Sequence, residues 1–291
     1  MFLLTHWDFI TLLSSEEVKS MSRVQGGWAQ KSGPTNSGQV RRPFTKAAPG
    51  FDIKFDETVK TVRVKPEDIV IRKDCEYIIS KEPSGESKVV YHSKFLDDVD
   101  ADQAFATLLA DVPWQQRADK YGPQPRLTAW YGEFPYSYSG LTHPPFTEWH
   151  ATLEDIRTRI ESLTGHSFNS VLCNLYRDHR DNVGWHADDE PGLRDNPYIA
   201  SISLGAVRLF EMRKMPAPSL LDDCCFRMSF FQDDKDGLEY CQELKVNLDH
   251  GSLLTMEGCT QKDWQHRLPR EYHDRGPRIN LTFRTIYPTD Q

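Results

Sequence analysis

Arg278-Ile279-Asn280-Leu281-Thr282-Phe283-Arg284 alternates polar and apolar side chains without a break. Successive side chains of a β-strand leave opposite faces, so Ile279, Leu281 and Phe283 point one way and Arg278, Asn280, Thr282 and Arg284 the other. Two environments suit that polar face. On a one-sided sheet it meets solvent, and two arginines there are unremarkable. Along the lining of a barrel the guanidinium groups are buried, and a buried guanidinium needs an anion. The two Cα atoms stand roughly 20 Å apart along the strand, so both reach one small dicarboxylate only by leaning inward. In the more conservative arrangement one grips the ligand and the other orders the rim. Short runs with the same two-residue period predict strands at 171–176, 199–204, 207–212, 244–248, 252–256 and 279–286. Turn residues separate them and no strand–helix–strand alternation occurs. The pattern predicts a mainly β domain with flanking helices and a double-stranded β-helix (jelly-roll) core, its strands antiparallel.

Upstream, Asn182-Val183-Gly184-Trp185-His186-Ala187-Asp188-Asp189-Glu190-Pro191 sets an imidazole and a carboxylate two residues apart, at His186 and Asp188. In an extended strand such a pair shares one face and converges. Nitrogen with carboxylate oxygen suits a divalent first-row metal, and one more histidine completes a two-His-one-carboxylate set. A chance His-x-Asp on a surface loop is the plain alternative. His266 follows the apolar run Gly251-Ser252-Leu253-Leu254-Thr255-Met256, a strand signature, which places it on the loop or strand edge beyond.

The rest of the chain sets limits. A formal charge of −8 over 291 residues argues against a general polyanion binder, so any nucleic-acid contact is local. No run of 18 apolar residues is present, so no membrane span is expected. Met1-Phe2-Leu3-Leu4 lacks a basic flank, and His6 and Asp8 interrupt it, so it is not read as a signal peptide. Six irregularly spaced cysteines read as reduced thiols of an intracellular protein. Residues 1–60 read as a disordered, mildly basic tail, a solvated leader or a polyanion-scanning arm. Within it, six basic against three acidic side chains over 1–50 give +3, which leaves −11 for the rest. The folded domain is expected over 61–291. Helices are expected over 100–112, with Phe105, Leu108 and Leu109 inward, and over 152–163, with Leu153, Ile156, Ile160 and Leu163 inward and Gly165 as cap. Between them, about 113–140 interleaves aromatic and basic residues, which suits either core packing or stacking on a base beside a phosphate. Residues 216–240, with Cys224, Cys225, Phe230 and Phe231 beside Asp233 and Asp234, break the strand pattern and read as a loop insertion.

An ordered set of motifs carries a resemblance. Pro125-Arg126-Leu127-Thr128-Ala129-Trp130-Tyr131-Gly132, Cys173-Asn174-Leu175-Tyr176-Arg177, Trp185-His186-Ala187-Asp188-Asp189-Glu190, Gln261-Lys262-Asp263-Trp264-Gln265-His266 and 278–284 occur in the order seen in the AlkB family of Fe(II)- and 2-oxoglutarate-dependent dioxygenases. The chain resembles that family from about residue 62 to its end. The resemblance implies Fe(II) on His186, Asp188 and His266, and 2-oxoglutarate held by Asn174, Tyr176, Arg278, Asn280 and Arg284, with O₂ as the second co-substrate. It further implies dealkylation of bases such as 1-methyladenine and 3-methylcytosine in single-stranded DNA or RNA, releasing formaldehyde, succinate and CO₂. Residues about 113–140 are then the nucleotide-recognition lid, and Trp114, Arg126, Tyr136, Ser137, Tyr138 and Asp189 the residues expected at the substrate. Asp189 would face the base, or else simply hydrogen-bond Asn182 or its own turn. A monomer in nucleus and cytoplasm, with a strand-separating helicase as a possible partner, belongs to the same expectation. Between Trp114 and Arg126 the chain is several residues shorter than the family branch it most resembles. Two rivals stay open: the same oxygenase chemistry on a protein or lipid side chain, and an inactive reader of methylated nucleic acid.

Overall fold

The computed structural model describes residues 65–119, 122–138, 140–215 and 241–288, all within one compact unit, Lys60–Gln291. The tail expected over 1–60 and the loop expected over 216–240 lie outside the described residues, and so does the side chain of Tyr138.

Strands β1 (Ile69–Ile71), β2 (Cys75–Glu82) and β3 (Gly85–His92) lead into α1 (Asp98–Asp111). The Asp97 carboxylate caps α1, accepting from Asp100 N at 2.9 Å, which satisfies one open N–H of the first turn. A short ribbon of β4 (Ala118–Asp119) and β5 (Gly122–Pro123) precedes β6 (Leu127–Gly132) and a hairpin of β7 (Tyr136–Tyr138) and β8 (Leu141–His143). Then α2 (Ala151–Thr164) ends at Gly165, whose φ of 72° is the left-handed cap conformation that a residue without Cβ adopts freely. The remaining strands are β9 (Ser170–Tyr176), β10 (Val183–His186), β11 (Ile199–Gly205), β12 (Arg208–Lys214), β13 (Glu243–Leu248) and β14 (Ser252–Gly258). A helical turn, α3 (Thr260–Asp263), leads into β15 (Trp264–Leu268), and β16 (Arg278–Arg284) closes the fold.

Two sheets result, ordered β2-β3-β14-β11-β16-β9-β6 and β1-β13-β12-β15-β10. From β9 onward the chain passes back and forth between them, and every pairing among those eight strands is antiparallel. This is the expected double-stranded β-helix. Among the described residues only β1 departs from the antiparallel expectation, lying parallel to β13.

Packing shows what the alternation of β16 serves. Ile279, Leu281 and Phe283 join Leu108 of α1 and Leu153, Ile156 and Ile160 of α2 in one buried cluster. Removing each such side chain from water is worth ~1.5–3 kcal/mol. Leu163, expected on the same face of α2, is 51% exposed, and Leu109 of α1 is 37% exposed, so the apolar stripes end earlier than their periodicity suggests. The opposite face of β16 does not meet solvent. Arg278, Asn280, Thr282 and Arg284 are all buried and line a cavity between the sheets. Phe210 and Met256 complete the cavity wall and join Met212, Val246, Leu254 and Trp264 in a second apolar cluster.

Candidate active site

His186 and His266 face each other directly across the β10–β15 pair, with ring centroids 4.2 Å apart. His266 therefore sits in the middle of an interior strand, not on the loop or edge expected for it. The inward alternation of Trp264, His266 and Leu268 within five residues explains the difference. Asp188 lies beyond the end of β10, so a shared strand face is not what aims it. Two longer-range contacts do. Asp188 N–H donates to Gln261 Oε1 at 2.9 Å, and Arg284 forks onto Asp188 Oδ2 through Nε at 3.1 Å and Nη2 at 2.7 Å.

That fork leaves Asp188 Oδ1 buried, without a hydrogen bond, and 3.9 Å from His186 Nε2. His186 Nδ1–H donates to Gly184 O at 2.8 Å, which turns the Nε2 lone pair toward the carboxylate. Nδ1 of His266 is likewise buried and unpartnered. Ligand atoms of the three side chains all lie within 4.8 Å of one another. Two nitrogens and one oxygen at this spacing suit a divalent first-row metal with open positions.

Electrostatics agree with that use. Burial, followed by the neighbouring His186, pushes His266 down to about 3, so it is a neutral lone-pair donor at neutral pH, as a metal ligand must be. Burial lowers His186 too. For Asp188, burial opposes ionisation, but the Arg284 guanidinium and the two imidazoles outweigh it and hold the carboxyl at about 2. On Arg284 burial works against the charge, and the Asp188 carboxylate prevails, raising its pKa. The cavity these groups line also includes Arg126, Asn174, Tyr176, Ser201 and Arg278. Its volume of about 50 Å³ takes a handful of waters at ~10–15 Å³ each, and so a small polar ligand.

At the far end of β16 the second arginine is differently placed. Arg278 is 2% exposed, Nη2 donates to Ser203 Oγ at 2.9 Å, and the guanidinium carbon lies 5.3 Å from the centre of the Tyr176 ring. Its Nε is buried without a partner, and burial lowers its pKa to about 10. A buried cation in this condition is completed by an anion. Asn280 is already committed: its amide donates to Ser201 Oγ at 2.8 Å and Ile202 O at 3.1 Å, and its Oδ1 accepts from Thr282 at 3.0 Å. Asn174 Oδ1 accepts from Arg126 Nε at 3.0 Å, tying a substrate candidate to a co-substrate candidate.

The structure sorts the remaining candidates. Tyr136 is buried, stacks on Trp130 at 4.6 Å, and lies under Arg284 at 5.6 Å. Ser137 is exposed and bonds Thr142 across the hairpin at 2.8 Å. Trp114 is away from the cavity: its indole N–H donates to the Leu108 and Leu109 carbonyls at the end of α1, a packing and capping position. Asp189 is exposed and does not line the cavity, and no hydrogen bond joins it to Asn182. Glu190, missed in the sequence, is the half-buried carboxylate next to Asp188 and Arg284. Burial and then the Asp188 charge lift its carboxyl to about 7, against the opposing Arg284 charge and a hydrogen bond from Tyr136. Ser201, Ser203 and Gln261 were also missed, because each acts only by meeting a residue tens of positions away.

The comparisons with known proteins fit this geometry. Residues 88–284 match the family model described as the 2OG-Fe(II) oxygenase superfamily. The chain is 45% identical to the alpha-ketoglutarate-dependent dioxygenase alkB homolog 3 of Homo sapiens, and of Bos taurus, over 94% of its own length and 97% of theirs. It is 35% identical to the DNA oxidative demethylase ALKBH2 of Homo sapiens over 65% of this chain and 70% of that protein. With a His–Asp–His set whose donors face one another and an unsatisfied arginine lining the same cavity, the chain belongs to the 2OG-Fe(II) oxygenase superfamily, among its AlkB-type dioxygenases, with Fe(II) as cofactor and 2-oxoglutarate and O₂ as co-substrates.

Proposed function

We propose that this protein is an oxidative dealkylase of N-alkylated bases, with 1-methyladenine and 3-methylcytosine in single-stranded DNA or RNA as its substrates. The observation that carries the proposal is the placement of Tyr136 and Glu190 beside the Asp188–Arg284 pair, which gives the metal site an aromatic and acidic neighbour. Similarity to relatives named as DNA oxidative demethylases supports the choice of substrate.

In this reading His186, Asp188 and His266 hold Fe(II), and Arg278 takes a carboxylate of 2-oxoglutarate, with Tyr176 and Asn174 on the same wall. When bound, iron, 2-oxoglutarate and O₂ supply hydroxylation of the N-alkyl carbon, with succinate and CO₂ as co-products, and the hydroxylated group leaves as formaldehyde. Arg284 keeps Asp188 ionised and leaves Oδ1 for the metal. Gln261 fixes the backbone of the same residue. Bases alkylated at these positions are cationic at neutral pH. Glu190 favours a cation beside it once ionised, and it replaces Asp189 as the acidic group at the base. A single strand is the preferred form, because a duplex first costs a few kcal/mol to flip out its base. A strand-separating helicase would lift that cost.

Succinate release is the test, with a single-stranded oligonucleotide carrying 3-methylcytosine against its unmethylated twin. Release that requires the methyl group supports the proposal. Equal release from both oligonucleotides overturns it and favours a protein or lipid side chain as substrate. Binding of the methylated strand without release or base repair makes the protein a reader.

A further inference from the structure

Arg208, on β12, is 1% exposed and stands outside the cavity, so it belongs to neither the metal set nor the co-substrate set. Its guanidinium reaches main-chain acceptors in two separate loops. Nη1 donates to Asp178 O at 3.2 Å, and Nη2 donates to Asp181 O at 2.9 Å and to Pro269 O at 2.7 Å. Nε faces the carboxylate of Glu271, in the second of those loops, at 3.5 Å. Burying a guanidinium is costly; what it achieves here is a tie between two segments with little packing of their own.

Those segments close the end of the barrel where the co-substrate groups stand. Residues 177–182 run from β9, which ends at Tyr176, to β10, and residues 269–277 run from β15 to β16, which begins at Arg278. Residues 272–277 are exposed, so apolar burial does little to hold them. Polar contacts do so instead: Glu271 N–H donates to His179 O at 2.9 Å, and Ala206 N–H to Pro277 O at 3.0 Å. Both arginines lie over the Tyr176 ring, Arg208 at 5.9 Å and Arg278 at 5.3 Å. They are close enough that the Arg208 charge adds to the burial that lowers the Arg278 pKa. The metal ligand His186 and the Asp188 partner Arg284 lie at the other ends of β10 and β16.

We infer that Arg208 is a positioning residue for 2-oxoglutarate: by fastening the β9–β10 loop to the β15–β16 loop it holds Tyr176 and Arg278 in place for the carboxylate away from the metal. The inference rests on the reading of Arg278 as the partner of that carboxylate. It adds a residue that touches neither ligand nor metal and separates the support of the co-substrate end from that of the metal end.

The test is calorimetric binding of 2-oxoglutarate, and separately of oxalate, to the Mn(II)-loaded protein without O₂. Oxalate chelates a metal but lacks the chain and the carboxylate that would reach Arg278. Arg208→Met should weaken 2-oxoglutarate binding by about tenfold or more, as loss of an outer partner does, and leave oxalate and Mn(II) affinity unchanged. Amide hydrogen exchange should show the cause, with the Glu271 N–H exchanging faster than in wild type. On the Arg278→Met background, Arg208→Met should cost much less, because both changes remove the same contact; a fully additive loss overturns the inference. Parallel loss of oxalate and Mn(II) affinity overturns it too, since the role is then general stability. If Arg208→Met does not fold, Arg208→Lys decides by the same criteria, because it keeps the charge and loses the fork. Arg278→Met alone is the control. Undiminished 2-oxoglutarate affinity there removes the co-substrate reading and this inference with it, whereas weakened binding there beside normal binding in Arg208→Met overturns this inference alone.

Discussion

Arg284→Met removes a guanidinium from a pair in which both members are nearly inaccessible, Arg284 at 4% and Asp188 at 1% exposure. Methionine approximates the stem of the lost side chain, so packing changes little and the charge is what is tested. The fork to Asp188 Oδ2, at 3.1 and 2.7 Å, is the carboxylate's main compensation for burial. Breaking such a pair from one side costs ~3–5 kcal/mol, because the remaining charge is stranded. Total stability is only ~5–15 kcal/mol, so the metal-free variant should unfold at clearly lower urea. Adding Asp188→Asn removes the stranded charge, and the double variant should recover most of the loss. Metal binding should respond as well. Without Arg284 the carboxylate can rotate, and loss of an outer partner of this kind costs ~10–100-fold in metal affinity, measurable by Mn(II) titration without 2-oxoglutarate. A direct grip on the co-substrate alone would leave that titration unchanged. Stability of Arg284→Met within about 1 kcal/mol of wild type, or a double variant no more stable than the single one, would refute the reasoning.

Other consequences follow from the same contacts. Asp188→Ala should abolish turnover while circular dichroism stays near wild type; residual full activity would remove Asp188 from the metal site. Arg278→Lys keeps the charge and loses the planar fork, so the apparent affinity for 2-oxoglutarate should fall about tenfold or more, at ~1.5–3 kcal/mol for a charge-assisted bond, and an unchanged dependence on 2-oxoglutarate would make Arg278 structural. His143 has a folded pKa of about 4 against 6.5 for the free side chain, so the unfolded chain takes up its proton first as pH falls. Its contribution is complete above 6.5 and lost toward 4, about 2 kcal/mol between pH 7 and pH 5. His143→Gln should flatten that part of the stability–pH curve, and an unaltered slope would contradict the assignment. Finally, a matched duplex bearing 3-methylcytosine should be repaired more slowly than the single strand at fixed salt, and faster repair of the duplex would reverse the reading of the lid.

Local regularities carry the fold in this sequence. Alternation along 278–284 depends only on neighbouring residues, so the two faces of β16 were readable at once, as were the strands on either side of it and the C-terminal cap of α2. Spacing also made His186 and Asp188 candidates, since a pair two apart is a local relation. What lay on the far side of the polar face was not local. Solvent and a barrel interior demand the same alternation, and only the second sheet, folded over β16, made Arg278 a buried cation with an unfilled donor. The same holds for aim. Asp188 is held by Arg284, 96 positions away, and by Gln261, 73 positions away, and neither distance leaves a periodic trace. Asp189 and Glu190 are adjacent carboxylates that composition cannot tell apart; the turn after β10 leaves the first exposed and the second half-buried beside Asp188. His266 looked like a loop residue because its strand is five residues long, too short to show a period before pairing with β10 and β12 reveals it. Sequence alone determined which side chains share a strand face, because strand geometry is set by the backbone. Which donors were left unsatisfied was decided only in three dimensions, because satisfaction depends on partners that the chain brings together from far apart.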